Sequence, residues 1–107
     1  LAGSAHVTRL RIVQNRVAPT SMEVRAALGE YDADHGFTLS TGSQGVSGMR
    51  AQLAKVVLGV PEEKVRIVTG DVGGGFGMKS FLYPEYGLVL HAARALGRPV
   101  KWTGERS

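Results

Sequence analysis

Residues 70–79 read Gly-Asp-Val-Gly-Gly-Gly-Phe-Gly-Met-Lys, directly behind the alternating apolar run Val65-Arg66-Ile67-Val68-Thr69. Five of the fifteen glycines fall between Gly70 and Gly77. Glycine costs backbone entropy on folding and adds no side-chain burial, so such a cluster is tolerated where the backbone turns tightly or lies against something. The run follows a predicted strand, and strand ends are where α/β folds commonly place ligands. Phe76, flanked by glycines, is then presented on a bare backbone. Two phosphate-binding loops fail on inspection. The P-loop requires a glycine where Met78 stands, and the dinucleotide fingerprint Gly-x-Gly-x-x-Gly, begun by Gly73 and Gly75, fails at the same Met78. Spacing alone leaves two readings open: a connection that tightens strand-to-helix packing, or a loop facing an anion or cofactor.

The surrounding pattern predicts an α+β chain with a mixed β-sheet and two helices packed on it. Residues 7–13 alternate charged and apolar side chains and predict a strand. A breaker segment with Pro19 follows. Residues 23–31 and 37–41 predict a hairpin around the turn Asp32-Ala-Asp-His-Gly36. Residues 45–59 predict a helix with Val46, Met49, Leu53, Val56 and Val57 on one face, Ser47 as a possible cap, and Gly59 and Pro61 as its end. Residues 65–69 predict a strand. Pro84–Leu96 predicts a second helix burying Leu88, Val89, Ala92, Ala93 and Leu96, with Gly97 and Pro99 stopping it. Residues 100–102 predict a last short strand.

The chain has 107 residues, fitting one small unit, and begins at Leu1 rather than Met. The expectation is a single fragment, residues 1–107, of a larger domain, catalytically inactive alone and open to self-association through uncovered apolar patches. It has no cysteine, which rules out disulfides and thiolate metal ligands within these residues and fits a cytoplasmic setting. The net charge is +4, but the thirteen Lys and Arg are scattered, so nucleic-acid binding is not expected. No apolar run reaches membrane-spanning length.

Few residues suggest chemistry on their own. His6, His35 and His91 share no metal-ligand spacing, so no metal-ligating or catalytic residue is assigned. Gln44 sits at a strand-to-helix junction among glycines, where it either caps the helix or orients a ligand oxygen. Glu85 lies in the first turn of the second helix, where interaction with the helix N-terminus accounts for it. Lys79 reads equally as a solvated surface lysine.

Taken together, these motifs resemble the molybdenum hydroxylases: the xanthine dehydrogenase, aldehyde oxidase and aerobic carbon monoxide dehydrogenase family. Gly73-Gly-Gly-Phe-Gly-Met-Lys79 is similar to its Gly-Gly-Gly-Phe-Gly-x-Lys signature in full. Pro19–Glu23 resembles its Pro-x-x-x-Glu segment, Ser40–Gln44 its strand ending in glutamine, and Leu96–Trp102 with Glu105-Arg106 its close to this region. The resemblance implies part of a larger molybdopterin-binding domain in an oxidoreductase. Its cofactor would be a molybdenum–pyranopterin in a dinucleotide form, with iron–sulfur clusters and FAD on other domains or subunits. The implied cofactor-binding residues are Gln44, which would hydrogen-bond an oxygen on molybdenum, with Gly74, Gly75, Phe76 and Gly77. The family's base is a glutamate near the subunit's C-terminus, without a counterpart here, so neither Glu85 nor Glu105 takes that role. Ser80 replaces the acidic residue of the purine-oxidising branch, which argues against xanthine. Tyr83-Pro-Glu-Tyr86 and Gly97–Trp102 look more like the carbon monoxide and bacterial aldehyde branches. The competing class is a non-enzymatic cofactor- or anion-binding α+β module.

Overall fold

The computed structural model describes residues 2–106; Leu1 and Ser107 lie outside the described residues. It contains β1 (Ala26–Asp32), β2 (Gly36–Thr41), α1 (Val46–Gln52), β3 (Val65–Val68), α2 (Pro84–Leu96) and β4 (Val100–Thr103). The strands form one mixed sheet in the order β3-β2-β1-β4, with β1 antiparallel to β2 and β4, and β2 parallel to β3. This is the α+β architecture expected from the sequence.

Local chemistry explains most elements. The β1–β2 hairpin turns where Asp32 Oδ1 accepts the N–H groups of Asp34 and His35, both at 2.9 Å. The parallel β2–β3 step needs a crossover, and α1 provides it. Pro84 opens α2, and Gly97 ends it in the left-handed region at φ +62°. Both helices lie on one face of the sheet. Ala27, Phe37, Leu39 and Val65 meet Met49, Leu53, Ala54, Tyr86, Val89 and Leu90 in a single core. Gly29 lets α2 press against β1: a Cβ there would lie 2.7 Å from the backbone carbonyl of Val89.

Four expectations are corrected. Residues 7–13 form no strand: Leu10, Ile12 and Val13 are exposed, because no described strand offers them a ladder to join. The first hairpin strand begins at Ala26, not residue 23, because Glu23 spends its backbone N–H on Gly73 instead of the sheet. The helix over 45–59 changes pitch: after α1 a π-helical turn runs Leu53–Leu58 and ends at Gly59, φ +63°. The wider turn rotates the face inward at Met49, Leu53 and Ala54 and outward at Val56, which is 80% exposed, and at Val57. In α2 the buried stripe is Tyr86, Val89, Leu90 and Ala93, leaving Leu88 and Leu96 exposed, because close contact with Gly29 selects that side of the helix.

Candidate functional site

Past the end of β3 the chain leaves the sheet and runs through the glycines into a single 3-10 turn, Met78–Ser80. Gly74 and Gly77 take φ +96° and +86°, and Phe76 between them takes φ +50°. A non-glycine residue in this region costs roughly 1–2 kcal/mol, so the surroundings must hold it there. Local bonds do part of this: Gly74 N–H to Val72 O at 2.9 Å, Met78 N–H to Gly75 O at 2.8 Å and Ser80 N–H to Gly77 O at 3.3 Å.

Remote side chains do the rest. Glu23 grips Gly73 twice: its N–H donates to Gly73 O at 3.2 Å, and its Oε2 accepts Gly73 N–H at 2.9 Å. The same Oε2 accepts Lys79 Nζ. Lys79 is only 1% exposed, and this ion pair satisfies its charge. The Lys79 hydrogen bond, with the Gly73 N–H behind it, holds the Glu23 carboxyl below its ordinary pKa. On the other flank Gln44 Oε1 accepts Gly77 N–H at 3.1 Å and Lys79 N–H at 3.2 Å, and Gln44 N–H donates to Lys79 O at 3.1 Å. Beneath the turn Tyr83 Oη donates to Met78 O at 2.5 Å. The Arg25 guanidinium covers the Tyr83 ring at 3.7 Å and pairs with both Glu85 oxygens at 3.3 Å.

The structure therefore brings Gln44, Gly75 and Gly77 into one cluster, with Gly74 beside Ser21 and Phe76 on the outside, 73% exposed. Several alternatives fall. Gln44 and Ser47 do not cap α1: Gly45 precedes the helix, and no side chain caps it. Lys79 is buried, not solvated. Glu85 engages Arg25, so its place in the first turn of α2 is not the whole account; that hydrogen bond lowers its pKa. Sequence reasoning assigned no role in the site to Glu23, Lys79 or Tyr83. Glu23 stood in the Pro19–Glu23 segment, but nothing local marks it as the partner of a lysine 56 residues away.

The arrangement leaves specific donors over. Among the described residues the N–H groups of Gly75 and Phe76 and the Gln44 Nε2 amide have no protein acceptor, while the N–H groups of Gly73, Gly74, Gly77, Met78 and Lys79 are all engaged. These donors suit an oxygen-rich ligand. No described cluster of three His, Cys, Asp or Glu residues is placed to hold a metal ion. The free N–H donors fit the oxygens of a bound pterin cofactor. A depression beside the loop is lined by Ser21, Arg25, Met78, Trp102 and Arg106 among others.

Comparison with known proteins points the same way. The family model for the molybdopterin cofactor-binding domain matches residues 1–107. A carbon monoxide dehydrogenase large chain of Hydrogenophaga pseudoflava is 40% identical over 92 residues, 85% of this chain and 11% of that protein. The molybdenum-binding subunit of an Escherichia coli K12 aldehyde oxidoreductase is 44% identical over 81 residues, 76% of this chain and 11% of that protein. The crystal structure of quinoline 2-oxidoreductase from Pseudomonas putida 86 matches with a TM-score of 0.79 at 39% identity, covering 97% of this chain and 13% of that one. The chain thus spans between 11% and 13% of the length of these relatives. Matched from end to end by the family's model, the chain belongs to the molybdopterin cofactor-binding domain family.

Proposed function

We propose that the chain forms part of the molybdenum–pyranopterin site of an oxidoreductase that hydroxylates an aldehyde or a heterocycle, or oxidises carbon monoxide. The observation that carries the reading is the set of unpaired donors at Gly75, Phe76 and Gln44, set among the engaged N–H groups of Gly73, Gly74, Gly77, Met78 and Lys79. The relatives support the three substrate classes, since their names speak of carbon monoxide, of aldehydes and of quinoline. When bound, the cofactor supplies two-electron redox chemistry and the sulfur ligands of its own metal.

The chain's residues bind and orient. Glu23 and Gln44 fix the loop by its backbone, so the free N–H groups of Gly75 and Phe76 meet cofactor oxygens without reorganisation. Gln44, its carbonyl oxygen spent on the loop, presents its amide N–H₂ to a further oxygen of the cofactor centre. Phe76 places an apolar ring at the exposed edge, where it shields the centre from water. No residue of this chain acts as acid or base. A dinucleotide form of the cofactor, iron–sulfur and flavin partners on other domains or subunits, and a cytoplasmic setting belong to the same proposal.

The test uses the full-length parent subunit with its partners. Purified protein should contain molybdenum and pterin and reduce a dye with an aldehyde, a quinoline-type heterocycle or carbon monoxide. Gln44→Ala should lower turnover per molybdenum by roughly 10²-fold, the scale of losing one preorganised donor. Bound cofactor without turnover on any of the three would favour the binding-module reading. Protein purified without molybdenum or pterin would overturn the proposed reading and leave only an anion-binding module.

A further inference from the structure

We propose that the half-buried Glu23–Lys79 pair is a positioning latch that sets the glycine loop for its cofactor before the cofactor arrives; this rests on the functional reading above. Three observations carry it. Lys79 is the most deeply buried charged side chain described, 1% exposed, yet it lies on a surface loop and packs no catalytic atom. Its partner Glu23 is 43% exposed, so the pair is not a sealed core contact but a bolt with one end in solvent. Both residues are also anchored through backbone: Glu23 holds the N–H and carbonyl of Gly73, while Lys79 donates its N–H to Gln44 Oε1 and accepts the Gln44 N–H at its carbonyl. The ion pair therefore joins the two flanks between which Gly74, Gly75 and Phe76 are suspended.

The geometry at Gly73 shows how closely the latch is drawn. A Cβ on Gly73 would lie 2.6 Å from Glu23 Cβ, so only glycine lets the carboxylate close over the loop. With the pair closed, the unpaired N–H groups of Gly75 and Phe76 are carried on a segment fixed at both ends. With it open, the Glu23 carboxylate is free to leave Gly73 for solvent and the segment gains freedom. Neither side chain bonds the free N–H groups of Gly75 and Phe76, so both act through the backbone they hold.

The chemistry also separates positioning from plain stability. Replacing a buried ion pair by uncharged side chains of similar shape is often neutral or favourable for folding. Glu23→Gln/Lys79→Met does this, removing the charges with little change in shape. In the cofactor-free parent subunit the double variant should melt close to wild type. Amide exchange of Gly73, Gly74, Gly77, Met78 and Lys79, whose N–H groups are bonded, should nevertheless be roughly tenfold or more faster, the scale of losing a hydrogen bond to a charged group. Molybdenum content after normal maturation should fall several-fold. Wild-type exchange and full molybdenum content in the folded double variant would overturn the latch. Should that variant not fold, Lys79→Met alone reads the same exchange, since it leaves Glu23 free to face solvent; unchanged exchange there overturns the latch equally. Exchange is measured without cofactor, so it judges the latch whether or not the wild-type subunit carries molybdenum, whereas a wild-type subunit lacking molybdenum counts only against the functional reading.

Discussion

A Cβ on Gly75 would lie 2.4 Å from Cδ and Oε1 of Gln44, although Gly75 itself does not take positive φ. The glutamine is flexible and can swing away, but only by releasing the Gly77 and Lys79 N–H groups. Gly75→Val is therefore expected to leave the core and melting temperature nearly intact while preventing cofactor loading, read as molybdenum per subunit. Normal loading in Gly75→Val would show that Gln44 does not shape the site. Gly77 differs: a Cβ there meets nothing within 4 Å, and its need for glycine is φ +86° alone. That the chain belongs to the molybdopterin-binding family was legible in the sequence through the Gly-Gly-Gly-Phe-Gly-x-Lys pattern. Why each glycine is required was not, because close approach at Gly73 and Gly75 depends on side chains 50 and 31 positions earlier in the chain. The left-handed Phe76 was equally hidden, since residue type argues against it and only the clasped flanks impose it.

Among the elements, α2 carries the clearest energetic anomaly. Tyr86 is fully buried against the sheet, and its hydroxyl has no partner among the described residues. An unsatisfied buried hydroxyl costs about 1–3 kcal/mol, so Tyr86→Phe should stabilise the fold by about 1 kcal/mol in urea denaturation. Destabilisation would mean that the hydroxyl finds an acceptor from outside these residues. The start of α2 is tied to β1 by Arg25 and Glu85 and the loop to its flank by Glu23 and Lys79. Both carboxyls have folded pKa values below their ordinary 4.5. Their stabilisation is thus fully present above that value and is lost as pH falls through the lower folded values. Acid unfolding of Glu85→Gln should accordingly be less steep below about pH 4.5 than that of wild type; identical acid profiles would remove the pair from the account. The helix–strand order and the hairpin were legible because period and turn chemistry agree there. The π-helical turn was not: Val56 and Val57 fit an α-helical stripe, and only packing against the sheet reveals the extra residue in the turn.

At the scale of the whole molecule the chain measures 74 × 31 × 21 Å with a radius of gyration of 20.7 Å. A compact chain of this length would have a radius near 13 Å. The excess comes from the N-terminal segment up to about residue 20, which lies outside the sheet and exposes Leu10, Ile12, Val13 and Val17 at 73–82%. Its alternation is that of a strand, and no described strand completes it. The purified 107-residue chain is expected to associate with rising concentration in sedimentation velocity, and Leu10→Ser/Ile12→Ser/Val13→Ser to abolish this. A monodisperse wild-type monomer at all concentrations would contradict that expectation. The same chain should show no dye reduction with any of the three substrate classes, because it spans only 11–13% of its relatives' length and catalysis needs groups held together in productive geometry. A crystal structure of the loaded parent subunit tests most directly whether the clasped glycine loop meets the cofactor. The N–H of Gly75 or Phe76, and the Gln44 Nε2, are expected to lie within hydrogen-bonding reach, about 3 Å, of cofactor oxygens. A bound cofactor with residues 44 and 74–77 all out of reach would contradict it.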